Sequence, residues 1–149
     1  MTKLYRLVRA DRADDAFSGE GARLYGGRWN PPGTSVVYAS ESRALAVLET
    51  IVHLTLEART MRFLLYTITL PSRPRLRRYD RMRAPRSISA SQEVGRRWID
   101  DGTTLALVVP SVIVPQERNY VLNVRHPQFA RLEIPKPEPF SLDDRLWRR

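Results

Sequence analysis

Apolar and polar residues follow one another along the chain in short runs that predict five β-strands. These runs are rich in β-branched and aromatic residues, and turn-forming residues separate them. They lie at positions 4–8, 35–39, 63–70, 105–114 and 119–124. Pro110 interrupts the fourth run, so we expect an edge, a bulge or a break in that strand.

Two longer segments predict helices between the strands. The first begins at Ser40, whose hydroxyl suits an N-cap, and continues to about Ala58. It is apolar around most of its circumference, which predicts a helix buried between other elements. The second covers about 91–100 and ends near Gly102. Strands with a few helices between them indicate the α+β class, and the polar segments 11–21, 26–33 and 71–86 are expected to be loops.

Glu49 is a carboxylate that the first predicted helix places on a largely apolar face. Its neighbours in helical projection are Leu45, Ala46, Val52, His53 and Leu56. A carboxylate in such surroundings loses hydration, which costs several kcal/mol unless a donor or a cation compensates. From the helix alone, the position of Glu49 is better explained by pairing with an arginine or by chance exposure to solvent than by a catalytic role.

Arg28 and Tyr38 are two further candidates, each with an ordinary structural explanation. Two glycines precede Arg28 and Asn-Pro-Pro-Gly follows one residue later, so the backbone around the guanidinium is irregular and fixed. A guanidinium held in this way can offer several donors to a phosphate, but Arg28 could equally be an exposed turn residue. Tyr38 offers an aromatic face on which a ring could stack, although tyrosines in strands more often serve packing.

Ser111 and the basic segment 73–86 also allow two interpretations each. Ser111 lies in an apolar run and needs a hydrogen-bond partner if it is buried. In the purely structural interpretation, its hydroxyl forms a hydrogen bond with the nearby backbone beside Pro110. The basic segment, RPRLRRYDRMRAPR, interleaves cations with Tyr79 and could bind nucleic acid. More often such a segment is a solvated loop, and it lacks the several aromatics of a stacking platform.

Composition narrows the chemistry that these residues can perform. The chain has 149 residues, a formal net charge of +9 and no cysteine. Disulfides, thiolate nucleophiles and sulfur-ligated zinc are therefore excluded, and with two histidines we expect no metal site. The positive charge is compatible with nucleic acid, an acidic protein, an anionic small molecule or a merely solvated surface.

The same sequence predicts one domain over residues 1–149 and a cytoplasmic location. The length is that of a single domain, and no linker or repeat divides it. The N-terminus becomes charged before a long apolar run develops, so no signal peptide is expected. No apolar stretch approaches the length that spans a bilayer.

Short motifs are spread over nearly the whole chain. In chain order they are Tyr5-Arg6, Gly27-Arg28-Trp29-Asn30, Val37-Tyr38-Ala39-Ser40, ALAVLE from Ala44 to Glu49, Pro110-Ser111, Asn119-Tyr120 and His126-Pro127. Taken together and in this order, they resemble the RES domain family, named for characteristic arginine, glutamate and serine residues. One departure is Asn123-Val124, where the family pattern has Asn-Pro.

The resemblance implies an ADP-ribosyltransferase-like fold, with a split, twisted β-sheet core and surrounding helices. It further implies the toxin of a bacterial type II toxin–antitoxin system, whose partner is an Xre-like antitoxin with a helix-turn-helix region. The antitoxin alone would contact DNA. Family members consume NAD as a substrate by hydrolysis, by phosphorolysis or by ADP-ribosyl transfer to a protein target.

The resemblance also assigns roles to the candidate residues. Arg28, Tyr38 and Glu49 occupy the positions of the superfamily's Arg/His–Tyr–Glu constellation. Glu49 would stabilise the oxocarbenium-like state formed when the nicotinamide–ribose bond breaks. Arg28 would hold the ribose or the pyrophosphate, and Tyr38 would stack on the nicotinamide. Three substrate-binding residues are expected beside them: Arg6, Ser111 and Asn119.

Two other functions stay open at this point. The arginine-rich segment is compatible with a basic ribonuclease toxin and with a non-catalytic module that binds nucleic acid or a protein partner. The residues do not distinguish water, phosphate and protein as the acceptor of the ADP-ribosyl group.

Overall fold

A seven-stranded mixed sheet forms the centre of the protein. The structure is a computed structural model and describes residues 1–147. The strands lie in the order β4-β5-β6-β2-β1-β3-β7, and every neighbouring pair is antiparallel except β4 and β5. The predicted α+β class is confirmed. Of the domain predicted over residues 1–149, positions 148 and 149 lie outside the described residues. The strands are β1 (Lys3–Arg9), β2 (Val36–Ser40), β3 (Phe63–Thr69), β4 (Leu76–Arg78), β5 (Ala106–Pro110), β6 (Arg118–Asn123) and β7 (Glu138–Phe140).

Three α-helices and several short 3-10 helices pack around this sheet. The α-helices are α1 (Glu20–Tyr25), α2 (Arg43–Ile51) and α3 (Ile88–Asp101), and the 3-10 helices cover Ala10–Asp15, Leu56–Thr60, Pro127–Arg131 and Asp144–Trp147. α3 begins at its N-cap Ser87 and ends at Gly102, which adopts the left-handed conformation that suits a helix C-terminus. Within residues 1–147, no helix combines the length and the apolar character needed to cross a membrane.

The core lies on both faces of β5, which explains the long apolar run in this part of the sequence. Ala106 and Val108 belong to one buried cluster, whereas Leu107 and Val109 belong to another on the opposite face. A strand covered on both faces needs apolar residues at every position rather than at every second one. Pro110 is the last residue of β5, so the predicted break falls there.

The sheet is divided between β1 and β2, where only one residue pair, Tyr5 and Ser40, is in register. By contrast, β1 pairs with β3 along its whole length, from Lys3 to Arg9. One half-sheet therefore consists of β4, β5, β6 and β2, and the other of β1, β3 and β7. This division fits the predicted split sheet.

Arg6 fills the gap that the divided sheet leaves. Its Nη1 donates to the backbone oxygen of Tyr38 over 2.8 Å, and its Nε donates to the backbone oxygen of Ala16 over 2.9 Å. In a continuous antiparallel ladder, a backbone N–H of β1 would supply the bond that Tyr38 receives from this side chain. Burial lowers the pKa of Arg6 to about 10, so the guanidinium stays charged at neutral pH.

The first predicted helix is shorter and more exposed than expected. Ser42, not Ser40, is its N-cap and accepts a bond from the backbone N–H of Leu45. Ser40 is still the last residue of β2, because pairing with β6 continues through that position. The helix ends at Ile51, and only one side of it contacts the sheet. The expectation of a helix buried all round is therefore wrong, since Leu48, Val52 and Leu56 are exposed.

Parts of the predicted loops form regular structure. α1 begins inside the first loop, and β4 lies inside the third, beside β5. Three-residue strands such as β4 and β7 carry no periodic pattern of their own, so only their pairing partners reveal them.

Gly95 of α3 allows the helix to lie directly on the loop that contains Trp29. A Cβ atom at position 95 would lie 1.5 Å from the backbone oxygen of Trp29, so a side chain here forces the two segments apart. Trp98, one turn further, packs in the same buried cluster as Trp29. The contact fixes the loop that carries Arg28 against α3.

We expect Gly95→Ala to lower the free energy of unfolding by about 1–3 kcal/mol through this overlap. Gly21→Ala is the matched control, because a Cβ at position 21 of α1 meets nothing within 4 Å. The control should be neutral or slightly stabilising. Urea denaturation of both variants measures the difference, and equal stability for the two would contradict the close approach.

Candidate active site

A cleft of about 480 Å³ opens where the two half-sheets diverge. This volume falls within the range of small-molecule binding sites. It is lined by residues of β1, β2, α2 and β6 and of the segment 26–33, which we call the Arg28 loop. The division of the sheet therefore creates the site. Five of the six predicted site residues lie on its wall: Arg6, Arg28, Tyr38, Glu49 and Asn119.

Glu49 extends from α2 into the cleft, and two neutral donors hold one of its oxygens. The hydroxyl of Ser111 donates to Oε1 over 2.6 Å, and Nδ2 of Asn119 donates to the same oxygen over 2.8 Å. Glu49 is half-buried, and no ion pair to it is found within residues 1–147. The expected pairing with an arginine is therefore not seen. The two donors fix the carboxylate and leave its charge without a counter-ion.

Ser111 acts from behind Glu49 and not from the cleft wall. Its Oγ also accepts the backbone N–H groups of Ile113 and Val114, at 3.1 and 3.0 Å. The hydroxyl hydrogen is thereby directed at Glu49, because the turn after β5 occupies the oxygen's acceptor sites. Ser111 therefore makes the local backbone bonds that were one expectation for it, and it also donates a hydrogen bond that orients Glu49.

Ser40 is a site residue that the sequence analysis did not identify. Its hydroxyl donates to Oδ1 of Asn119 over 2.6 Å, so the amide nitrogen of Asn119 faces Glu49. The reverse orientation would place two oxygens against each other at the carboxylate. Ser40 is buried at the end of β2, opposite Asn119 in the register with β6. Its sequence signal is a small polar residue directly after a predicted strand, which equally suits the N-cap of a helix.

The Arg28 loop is held from several sides, which positions its guanidinium. Nη2 of Arg28 donates to the backbone oxygen of Pro85 over 2.6 Å, and Nε is buried without a hydrogen-bond partner within the described residues. Gln92 of α3 donates to the backbone oxygen of Gly27 over 3.0 Å. Arg28 lines the cleft and donates one hydrogen bond within the described residues, so its guanidinium keeps further N–H groups that can bind an anion.

Tyr38 lines the cleft and uses its hydroxyl to anchor the same loop. The hydroxyl donates to Oδ1 of Asn30 over 2.6 Å and accepts the backbone N–H of Trp29 over 3.0 Å. A Cβ at Gly27 would lie 2.6 Å from this hydroxyl, so only glycine allows the contact. Burial raises the pKa of Tyr38 well above its usual range, so the phenol is neutral. The predicted stacking role remains a prediction for the ring.

Arg6 lines the cleft, but its two described hydrogen bonds are to backbone oxygens of the protein. Its main contribution visible in the structure is to keep the half-sheets apart. A contact with the pyrophosphate of a substrate stays a prediction. No cluster of three or more metal-ligating side chains is present within residues 1–147.

Comparison with known proteins finds relatives that are named as toxins. A family model described as RES domain matches residues 3–143. A protein of Photorhabdus laumondii named Toxin Res is 37% identical, and the match covers 96% of each chain. A protein of Sphingobium sp. (strain YBL2) named Prs ADP-ribosylating toxin is 34% identical over 99% of this chain and 98% of that protein.

A solved structure has a similar fold. The crystal structure of the M. tuberculosis MbcT–MbcA toxin–antitoxin complex contains a chain that matches with a TM-score of 0.74. The match covers 93% of this chain and 84% of that one, at 21% sequence identity. At this identity the likeness shows the fold.

We expect the stability difference between the unaltered protein and Tyr38→Phe to shrink at alkaline pH. Near pH 8 the variant should be less stable by about 1–3 kcal/mol, because Asn30 and the N–H of Trp29 lose a partner. The raised pKa means that folded Tyr38 keeps its proton, whereas unfolded tyrosine releases it near pH 10. Stability from this group is therefore present below pH 10 and declines as the pH rises.

Denaturation at pH 8 and pH 11 measures this effect. At pH 11 the unaltered protein should lose about 1.4 kcal/mol of its advantage over the variant. Arg6 is present in both proteins, so its own titration cancels from the difference. A difference that is constant between the two pH values would show that the hydroxyl is not buried.

Proposed function

Because the chain belongs to the RES domain family, we propose that it is the toxin of a type II toxin–antitoxin pair and that it cleaves the nicotinamide–ribose bond of NAD. The names of the relatives and the arrangement of the cleft support this proposal. NAD is the substrate, and the proposed chemistry uses no metal.

The observation that carries the proposal is the carboxylate of Glu49. Two neutral donors hold Oε1, and no cation neutralises the group within the described residues. An oriented negative charge in a partly dry cleft is what a reaction with a developing positive charge requires. A Glu–Arg ion pair would satisfy the carboxylate without leaving it free to act on a substrate.

The reaction breaks the bond between the ribose C1′ and the nicotinamide ring nitrogen. The electron pair of that bond goes to the ring nitrogen, which becomes neutral, and positive charge develops at C1′ and the ribose ring oxygen. Glu49 stabilises this charge. An acceptor then forms a new bond to C1′ and releases its proton to the solvent.

Arg28 and Tyr38 serve binding in this proposal. Arg28 lines the cleft and donates one described hydrogen bond, so its other N–H groups suit the ribose or the pyrophosphate. Tyr38 lines the cleft while its hydroxyl is held by the Arg28 loop, and in this proposal its ring stacks on nicotinamide. Tyr38 also links its own strand, β2, to the loop of Arg28, because its hydroxyl accepts the backbone N–H of Trp29, the residue that follows Arg28.

Among water, phosphate and protein, we propose a protein as the acceptor of the ADP-ribosyl group. The support is the name of the Sphingobium relative, a Prs ADP-ribosylating toxin of similar length and 34% identity. Hydrolysis and phosphorolysis are the competing reactions at the same site. The identity of the target protein is not part of the proposal.

The proposed partner is an Xre-like antitoxin with a helix-turn-helix region, which would contact DNA. The structural neighbour comes from a toxin–antitoxin complex, which supports the presence of an antitoxin partner. A cytoplasmic location belongs to the same proposal, since NAD and protein acceptors are both present there.

We expect Glu49→Gln to lower the rate of nicotinamide release from NAD by about two to three orders of magnitude. Glutamine keeps an acceptor oxygen for Ser111 and Asn119 but carries no charge, so the fold and the hydrogen bonds should survive. Glu57→Gln is the control, because Glu57 is exposed and does not line the cleft. Chromatography of nicotinamide measures the rate. An unaltered rate in Glu49→Gln would contradict the assigned role.

Product analysis distinguishes the proposed reaction from its alternatives. Incubation with NAD, with and without phosphate and with and without a bacterial extract, separates hydrolysis, phosphorolysis and protein modification. RNA cleavage by the purified chain with NAD left intact would favour a basic ribonuclease instead.

We also expect Ser40→Ala to lower the turnover number by about tenfold, with a smaller effect on KM, because the Asn119 amide is no longer held toward Glu49. Ser42→Ala is the control, since it removes the N-cap of α2 and costs stability without altering the contact to Asn119. Steady-state kinetics well below the unfolding temperature measures both variants. Equal activity in the two would show that Ser40 has no positioning role.

A further inference from the structure

Four exposed residues lie around Pro85 in the segment between β4 and α3, and the backbone of Pro85 contacts Arg28 of the cleft. We call Arg81, Met82, Arg83 and Arg86 the arginine rim. All four are exposed, and Met82, an apolar residue among three arginines, is 77% exposed. The proposed reaction does not use them.

The intervening residues of this segment face inward and hold the rim in place. Tyr79 packs edge-on against Trp29 with their ring centroids 5.2 Å apart, and Ala84 packs against the same buried cluster. The backbone oxygen of Pro85 accepts the 2.6 Å hydrogen bond from Arg28. The rim is therefore tied directly to a residue that lines the cleft, and it needs little ordering when a partner binds.

The charge of the rim is not neutralised within the described part of the chain. Its three arginines have no carboxylate partner there, and Asp80 is the one acidic residue between Tyr79 and Arg86. In the helix that follows, Arg96 pairs with Glu93 and Asp100. An unneutralised group of cations that flanks the Pro85 contact with Arg28 attracts an acidic partner and steers its approach.

Exposed apolar side chains accompany these cations, and this favours a protein partner over RNA. Met82 lies within the rim, and Ile88, at the start of α3, is 55% exposed. Arginine and methionine are enriched in protein interfaces. Single-stranded RNA is bound on several exposed aromatic rings, whereas Tyr79 faces inward and Tyr25 is a lone exposed ring near Arg28.

We propose that the arginine rim docks an acidic, partly apolar segment of the protein that accepts the ADP-ribosyl group. This inference rests on the proposed function, because it requires a protein acceptor. The docked segment lies next to Arg28 and so brings an acceptor side chain to the cleft. There the nucleophilic atom forms the bond to C1′ as nicotinamide leaves with its electron pair, and the acceptor proton passes to solvent.

The test compares two triple variants that lower the net charge equally. The rim variant is Arg81→Gln, Arg83→Gln and Arg86→Gln. The control is Arg59→Gln, Arg131→Gln and Lys136→Gln, three exposed cations that do not line the cleft. Each protein is incubated with NAD labelled in the adenylate part and a bacterial extract, and transfer of label to proteins is measured. NAD affinity is measured separately by calorimetry.

We expect transfer to extract proteins to fall by roughly tenfold or more in the rim variant and to change little in the control, with NAD affinity similar in all three proteins. Equal transfer by the two variants would overturn the proposal. Absence of any labelled protein with the unaltered chain would also overturn it, since no protein acceptor would then exist.

Two further readouts separate this inference from the proposed function. A failure of the unaltered chain to bind or cleave NAD would refute the function itself, whatever the rim does. A fluorescent single-stranded RNA that binds the unaltered chain and is lost only in the rim variant would identify the surface as an RNA site and overturn the docking proposal.

Discussion

The divergence of β1 from β2 is the constraint on which the site depends. The strands meet at one residue pair, Tyr5 and Ser40, and beyond it the side chain of Arg6 replaces the missing backbone bond to Tyr38. A fully paired sheet would leave no cleft at this place. Ser40 connects the gap to the chemistry, because the residue that closes the pair also orients Asn119.

Neutral groups hold the two charged side chains in the cleft that the proposed reaction uses. Serine and asparagine donate to Glu49, and a backbone carbonyl accepts from Arg28. Direct pairing of such charges with each other would cancel much of the field that acts on a substrate. Fixing them with dipoles keeps each charge available, and the hydrogen bonds limit the movement needed during reaction.

Much of the fold was readable from local patterns, while the site was only partly so. The five long strands and α3 follow from alternation, apolar runs and the glycine that ends the helix. The prediction that α2 is buried on all sides was wrong, because apolar residues around a helix do not indicate which side packs against the sheet. Glu49 attracted attention through its apolar neighbours, but its bonds to Ser111 and Asn119 join residues 62 and 70 positions apart. No local pattern reveals such contacts, and Ser40 was missed for the same reason.

A crystal structure of the Glu49→Gln protein soaked with NAD tests the central claim most directly. The substitution slows the proposed cleavage and keeps the cleft, so intact NAD should be visible. The account predicts the nicotinamide ribose beside residue 49, the nicotinamide ring against Tyr38 and a ribose or phosphate oxygen on Arg28. NAD bound elsewhere on the protein, or no binding at a concentration that saturates active relatives, would contradict it.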